Sequence, residues 1–258
     1  MRKFIVLADT WYLFLKYTKI TMRMPMWTLF TLIQPLLWLL IFTQLFKNVV
    51  DTSNFGNESY IDFFVPGVLV MTALFGSSWS GVSLLREITA GSVDKMLVSP
   101  VSRVAIVLSR VLHSAAQVVI QVLVILLIAW LAGAQLNLDP LSLLLTMISV
   151  FLLGVALAAL SNGFAIILQR EEPLVMIGNL MTLPLMFLST AMVPKQFMPG
   201  WIETISIINP ITYAVESVRA VLVGTPDLGA YSFGAVIMLI FAAVSLAWAV
   251  SAFNGLRD

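Results

Sequence analysis

Apolar runs of about twenty residues, separated by short polar breaks, set the rhythm of this 258-residue chain. Six of them, at about residues 25–46, 61–85, 104–132, 141–168, 174–193 and 231–253, are each long enough to cross a hydrocarbon core of roughly 30 Å as a helix. Helix is the expected form, because lipid offers no partner for backbone N–H and C=O groups and each span has to satisfy its own. Pro35 predicts a kink in the first span, and Trp27 and Trp38 suit its interface ends. The break from Gly133 to Pro140 is short, so spans three and four are expected to form an antiparallel hairpin. Two further stretches are apolar without spanning. In residues 1–23, Phe4, Leu7, Trp11, Leu15, Thr18 and Met22 recur at helical spacing, while Lys3, Lys16, Lys19 and Arg23 can reach headgroups. This pattern reads as an amphipathic helix on the membrane surface; the alternative is the first turns of a long span. Asp9, Lys16 and Lys19 interrupt it too often for a cleaved leader. Residues 194–230, with Phe197, Pro199, Trp201, Ile202 and Ile205, are too apolar for an ordinary loop and too broken by Pro and Gly to span. Short helices dipping into one leaflet reconcile the two.

The polar stretch from Leu84 to Arg103 carries Arg86, Glu87, Asp94, Lys95 and Arg103 between spans two and three. Ionised groups are expensive in hydrocarbon, so this stretch belongs at a water-facing surface, tied to the membrane at both ends. Eleven Lys and Arg residues fall on its side of the membrane and three (Lys47, Lys195, Arg219) on the other, together the 14 of the chain. By the positive-inside bias both termini and the polar stretch face the cytoplasm. The loop 47–60 is polar and turn-rich; its Asn57-Glu58-Ser59 sequon carries no weight.

Composition narrows the function. With 60% hydrophobic and 10% charged residues the chain lacks the polar surface of a soluble globule and fits an all-α polytopic membrane protein. The net charge of +1 is spread without a basic stripe, which argues against nucleic acid. The chain has no cysteine, so disulfides and thiolate chemistry are excluded. Its one histidine, His113, reads as a hydrogen-bonded interior residue rather than a ligand. There is no G-x-x-x-x-G-K-[ST] phosphate loop, nucleophile elbow or metal-binding cluster. The spans also lack the buried carboxylate an ion-driven carrier would use; Asp62 lies at an outer end, and Arg110 and His113 near the cytoplasmic end of span three. Any driving force has to come from outside the chain.

Two motifs carry a resemblance. Arg86-Glu87 with Gly91, Asp94 and the run Leu97-Val98-Ser99-Pro100-Val101-Ser102-Arg103 is the first. Pro194, Phe197, Pro199 and Trp201 followed by Asn209-Pro210-Ile211-Thr212-Tyr213-Ala214-Val215-Glu216-Ser217-Val218-Arg219 is the second. Together they resemble ABC-2 type transporter permeases over essentially the whole chain, most closely the daunorubicin/doxorubicin drug-resistance branch. The resemblance implies a single transmembrane domain over 1–258, whose 84–103 segment is a coupling helix docking on a separate ABC ATPase. It also implies two ATPase copies, a second copy of this chain and a lipid-facing exterior, in the cytoplasmic (inner) membrane. ATP and magnesium would sit on the partner, with no cofactor in this chain. Arg86, Glu87, Asp94, Lys95 and Arg103 would then contact the ATPase, Gly91 would allow a sharp turn, and Ser99-Pro100 would end the helix.

The substrate path would pass between spans one, two and five of two copies, near Gly76, Ser77, Ser78, Pro184 and Met186, although core packing accounts for these residues equally well. In the outer region, Pro199, Trp201, Asn209, Pro210, Tyr213, Glu216 and Arg219 fit a gate, with Glu216 and Arg219 able to pair at i,i+3. The leading expectation is an exporter of an amphipathic or lipid-like compound. A lipid-linked polysaccharide exporter is second, since the aromatics near the path (Phe63, Phe64, Phe75, Trp79, Phe187) are few. A self-sufficient channel or membrane enzyme is third, and would show flux or turnover without nucleotide.

Overall fold

Backbone satisfaction within each segment dominates the observed architecture. In the computed structural model, which describes residues 2–23, 25–46, 59–98 and 101–255, all regular structure is helical. The helices are α1 (Arg2–Met22), α2 (Pro25–Phe46), α3 (Tyr60–Ser78), α4 (Ser80–Thr89), α5 (Ser92–Val98), α6 (Arg103–Leu131), α7 (Pro140–Leu168), α8 (Glu171–Phe187), α9 (Gly200–Ile208), α10 (Pro210–Leu222) and α11 (Leu228–Asn254). A 3-10 turn at Lys195–Phe197 precedes α9. The loop 47–58, Ser99, Pro100, Arg257 and Asp258 lie outside the described residues, as do the side chains of Trp27, Asp94 and Lys95.

Four helical stretches are long and apolar enough to cross a membrane: Tyr60–Thr89, Arg103–Leu131, Pro140–Leu168 and Leu228–Phe253. The chain is therefore an integral membrane protein with several spans. Within α2 the apolar part described runs from Phe30 to Leu45, and α8 has 17 residues. Helix α7 lies at the centre, packed against α3, α4, α6, α10 and α11, and small residues make this possible. Helices α6 and α7 form the expected hairpin, their junction turning at Gly133. Helix α2 joins α3 through stacked rings, with Phe42 and Phe64 centroids 5.6 Å apart.

The closest approach of α4 to α7 is at Gly81. A Cβ there would sit 2.1 Å from the Ser161 carbonyl oxygen. The Ser161 hydroxyl donates to the Ser78 carbonyl at 2.6 Å and accepts from the Gly81 N–H at 2.9 Å. It thus satisfies the backbone where α3 breaks into α4 at Trp79, a break inside the span expected over 61–85.

The fifth apolar segment departs most from expectation. It reads as helical to Val193 in sequence, but α8 stops at Phe187. The reason lies 21–24 residues downstream: the Asn209 amide donates to the Leu185 and Leu188 carbonyls at 2.7 and 2.9 Å. These are among the carbonyls that a helix end leaves without partners. The Asn209 side-chain oxygen meanwhile accepts from the Ile211 N–H at 3.0 Å and caps α10, with Pro210 at its first position. Residues 194–230 thus form short helices, as expected, and one asparagine side chain joins them to the end of α8.

Two outcomes follow. Gly81→Ala should cost about 1–3 kcal/mol by overpacking against backbone, lowering the thermal midpoint in mild detergent. Gly178→Ala, where nothing lies within 4 Å of the added Cβ, should leave the midpoint unchanged or raise it. Asn209→Ala should cost about 2–4 kcal/mol, from the lost cap and two orphaned carbonyls, and Asn209→Ser, which keeps only the cap, should fall between it and wild type in the same melts.

Candidate functional site

The polar segment leading from α4 to α6 folds as a hook. Helix α4 buries Gly81, Val82, Leu84 and Leu85 on one face and exposes Arg86 and Thr89 on the other. The chain reverses at Gly91, whose φ of 68° is in the left-handed region open to glycine at no steric cost. Helix α5 then returns, with Val93 buried and Val98 exposed at its end. Ile88, Met96 and Val101 pack on the core formed by Leu84, Ile106 and Val107, so the hook is seated on the base of α6.

Polar contacts hold the hook to three other helices. Arg86 is ion-paired to Glu171 at the start of α8, with its Nε donating at 3.4 Å to the second carboxylate oxygen. The guanidinium holds the Glu171 carboxyl below its usual value. Two acids in the first turn of α8, Glu171 and Glu172, also suit the positive end of the helix dipole. Glu87 turns the other way and ion-pairs with Arg110 of α6, a residue only 5% exposed. Arg110 also lies over the Tyr17 ring, 4.6 Å from its centroid, and the Tyr17 hydroxyl faces Glu87 at 3.5 Å. Burial pushes the Tyr17 phenol above its usual value. One turn along, Thr21 and His113 Nε2 share a hydrogen bond at 3.0 Å, so His113 is the hydrogen-bonded interior residue its sequence context suggests. At the base of α6, the Ser102 N–H donates to Asp9 of α1 at 3.2 Å.

Sequence reasoning groups Arg86, Glu87, Gly91 and Arg103 on one segment; the structure keeps Arg86, Glu87 and Gly91 on the hook and makes Arg103 the first residue of α6. Arg86 is on the exposed side, and Glu87 points inward. Asp9, Tyr17, Thr21 and Glu171 are missed. Glu171 carried a signal, a charged turn just before the fifth apolar segment, but nothing in the sequence pairs it with Arg86.

Among the residues proposed for a path, Ser78 lines an apolar cavity of about 200 Å³ between α3, α7, α8 and α11, across from Thr182 at 3.3 Å. Gly76 instead faces Val118 and Gln121 of α6, and Ser77 is buried beside Gly154. Met186 is in the core, and Pro184 is exposed. These five do not share one surface within a single copy.

At the opposite end of α3 from the hook, Arg219 of α10 donates to the Thr190 carbonyl at 3.0 Å and the Phe63 carbonyl at 3.4 Å, pairs with Glu216 at 3.3 Å and covers the Phe63 ring at 4.1 Å. Tyr213 donates to the Ile207 carbonyl at 2.6 Å. Asn209 and Arg219, with Glu216 paired to Arg219, therefore form a clasp that joins α10 to α3 and the end of α8, while Pro210 opens α10 and Tyr213 ties it back to Ile207 of α9. Pro199 and Trp201 stand apart on α9, where Trp201 is exposed. Asp62, also missed as a structural residue, is buried and accepts from the Gln135 N–H at 2.6 Å.

Comparison with known proteins identifies the family. The family model for the ABC-2 type transporter matches residues 8–223. The ycf38 protein of Cyanophora paradoxa is 35% identical over 199 residues, 76% of this chain and 68% of that protein. Its counterpart in Porphyra purpurea is 32% identical over 204 residues, 79% of this chain and 70% of that protein. The daunorubicin resistance ABC transporter permease protein DrrB1 of Streptomyces coeruleorubidus is 25% identical over 193 residues, 75% of this chain and 67% of that protein. With a family model covering residues 8–223, the hook and the α8–α10 clasp included, the chain belongs to the ABC-2 type transporter family.

Proposed function

We propose that this chain is the membrane permease of an ATP-driven exporter that moves an amphipathic or lipid-like compound outward by alternating access. Two copies pair, and two separate ATPase subunits dock from the cytoplasm and carry ATP and magnesium. In this reading all six apolar segments span, α2 and α8 included. Helix α1 lies on the cytoplasmic face of the inner membrane, both termini are cytoplasmic, and α9 and α10 dip into the outer leaflet. Asn209, Tyr213, Glu216 and Arg219 hold the outer gate closed, and their internal contacts favour this structural role over substrate contact. The direction and the substrate class rest on the drug-resistance relatives.

The observation that carries the reading is the hook. A polar helix pair, anchored at its base to α1, α6 and α8, displays an exposed tip at α5 in a chain without a phosphate loop. Gly91, Asp94, Lys95, Ser99, Pro100 and Arg103 form or flank the docking face, and Arg86 works at its edge through Glu171 of α8. Glu87 acts from behind it through Arg110.

The test is co-purification of the chain with candidate ATPase subunits, together with permease-stimulated ATP hydrolysis. Val98→Glu, which changes only the exposed tip, should reduce ATPase capture at least tenfold with an unchanged thermal midpoint. Arg86→Glu and Glu171→Arg should each keep ATPase bound and lower its stimulation, and the double swap should restore it. Exposed pairs add little to stability, so neither single variant should shift the melt much. Flux by the purified chain without nucleotide, or capture indifferent to Val98→Glu, would reject the coupled reading.

A further inference from the structure

Helix α8 is tied at both ends and hollow behind its middle. Glu171 joins its start to Arg86, and the Asn209 amide holds the Leu185 and Leu188 carbonyls at its end. Between these ties lies the cavity of about 200 Å³ that α8 shares with α3, α7 and α11. Gly178 lines this space, and a Cβ added there would meet nothing within 4 Å. The lining runs along α8 from Leu174 to Leu185, about 16 Å at the rise of an α-helix. An apolar cavity of about 150 Å³ already holds a benzene ring, so a slightly larger space drawn out over that length has the form of a single hydrocarbon chain.

The chemistry of the slot agrees with its shape. Among the described residues that line it, only Ser78, Ser161 and Thr182 carry polar side chains. Ser78 donates to the Leu74 carbonyl at 2.6 Å and shares a hydrogen bond with Thr182 at 3.3 Å. Ser161 is held by the Ser78 carbonyl and the Gly81 N–H. With each hydroxyl partnered, water would lack the several polar contacts that hold it in a buried site. Left empty, the slot would cost its lining the dispersion contacts of a packed interior. Three of its walls, α3, α7 and α11, belong to stretches long and apolar enough to cross a membrane, so hydrocarbon is the surrounding solvent. Toward α11 the described wall is Phe241 alone, and Val244, one turn on, is exposed; a chain can enter from that side.

We propose that the slot is a binding site for one acyl chain of a membrane lipid, which fills the space behind Gly178 and sets the distance between α8 and α7. The headgroup stays outside, and the chain becomes part of the packing that positions α8. The inference shares with the proposed function only the placement of α8 in the bilayer. It needs no ATPase, so chain binding can fail with ATPase capture intact, and the reverse.

The full chain, reconstituted in nanodiscs with phosphatidylglycerol carrying a diazirine in its acyl chain, would be irradiated and its labelled residues mapped by peptide mass spectrometry. Labelling should fall on Leu157 and Thr182, buried in the slot, and on exposed Val244 outside it. Gly178→Leu, which fills the slot with a side chain, should lower labelling of Leu157 and Thr182 by about tenfold, since a packed site excludes the chain, and leave Val244 unchanged. Leu160→Trp, which fills the slot from α7, should do the same, so the proposal stays testable if Gly178→Leu fails to fold. Val244 labelled without Leu157 and Thr182, or slot labelling that persists in either folded variant, would overturn it. Slot labelling by a small phenyl diazirine but not by the chain-labelled lipid would overturn the lipid assignment in favour of a compact apolar compound.

Discussion

A guanidinium buried at a membrane boundary needs a counter-charge within reach, and in this chain Glu87 supplies it to Arg110. Removing one member of such a pair leaves an uncompensated charge whose desolvation nothing offsets, so the two helices that carry them are obliged to stay together. Helix α4 cannot leave α6 without exposing both groups. Tyr17 extends the same obligation to α1, since its ring covers Arg110 and its hydroxyl faces Glu87. The base of the hook is thus fixed to α6 and to α1 by one cluster.

The junction of α8 and α10 uses the same physics on backbone rather than on charge. Where α8 stops short, its last carbonyls would face a low-dielectric interior, and Asn209 donates to two of them while capping α10. Arg219 does likewise for Thr190 and Phe63, and its own charge is offset by Glu216 and the Phe63 ring. Broken helices at membrane depth are tolerated only under such protection. The Asn-Pro and Glu-x-x-Arg elements of the outer motif therefore have a structural explanation that does not require substrate contact.

Much of this was legible in the sequence. Spans three and four begin and end within about one residue of the helices, because their apolar runs are closed by Ser102-Arg103, Gly133, Asp139-Pro140 and Gln169, each a cap, a turn or a polar stop. The short helices after residue 194 were also readable from Pro, Gly and the apolar pattern, and the turn at Gly91 from the family resemblance. What was hidden depends on distance along the chain. Arg86 and Glu171 are 85 residues apart, and Asn209 ends a helix 21–24 residues before it. Nothing local in the composition of 188–193 announces that end. Periodicity alone could have tempered the grouping of Gly76, Ser77 and Ser78, since consecutive helical residues point about 100° apart. In the structure each meets a different neighbour.

The two ion pairs of the hook differ in a way that bears on coupling. Arg110–Glu87 is buried, with side chains 5% and 25% exposed, whereas Arg86–Glu171 is open, at 63% and 44%. In water an exposed pair gains little over separate solvation, so parting Arg86 from Glu171 is cheap and parting Arg110 from Glu87 is not. A force on the hook would therefore turn it about the α6 side and change its grip on α8 first. On the proposed reading, α8 is the helix whose far end is fastened by Asn209 to the outer clasp. Displacement at its cytoplasmic end would be transmitted to the α8–α10 junction through one short, packed element. The short length of α8, which departs from the sequence expectation, is what brings the two polar devices within a single helix of one another.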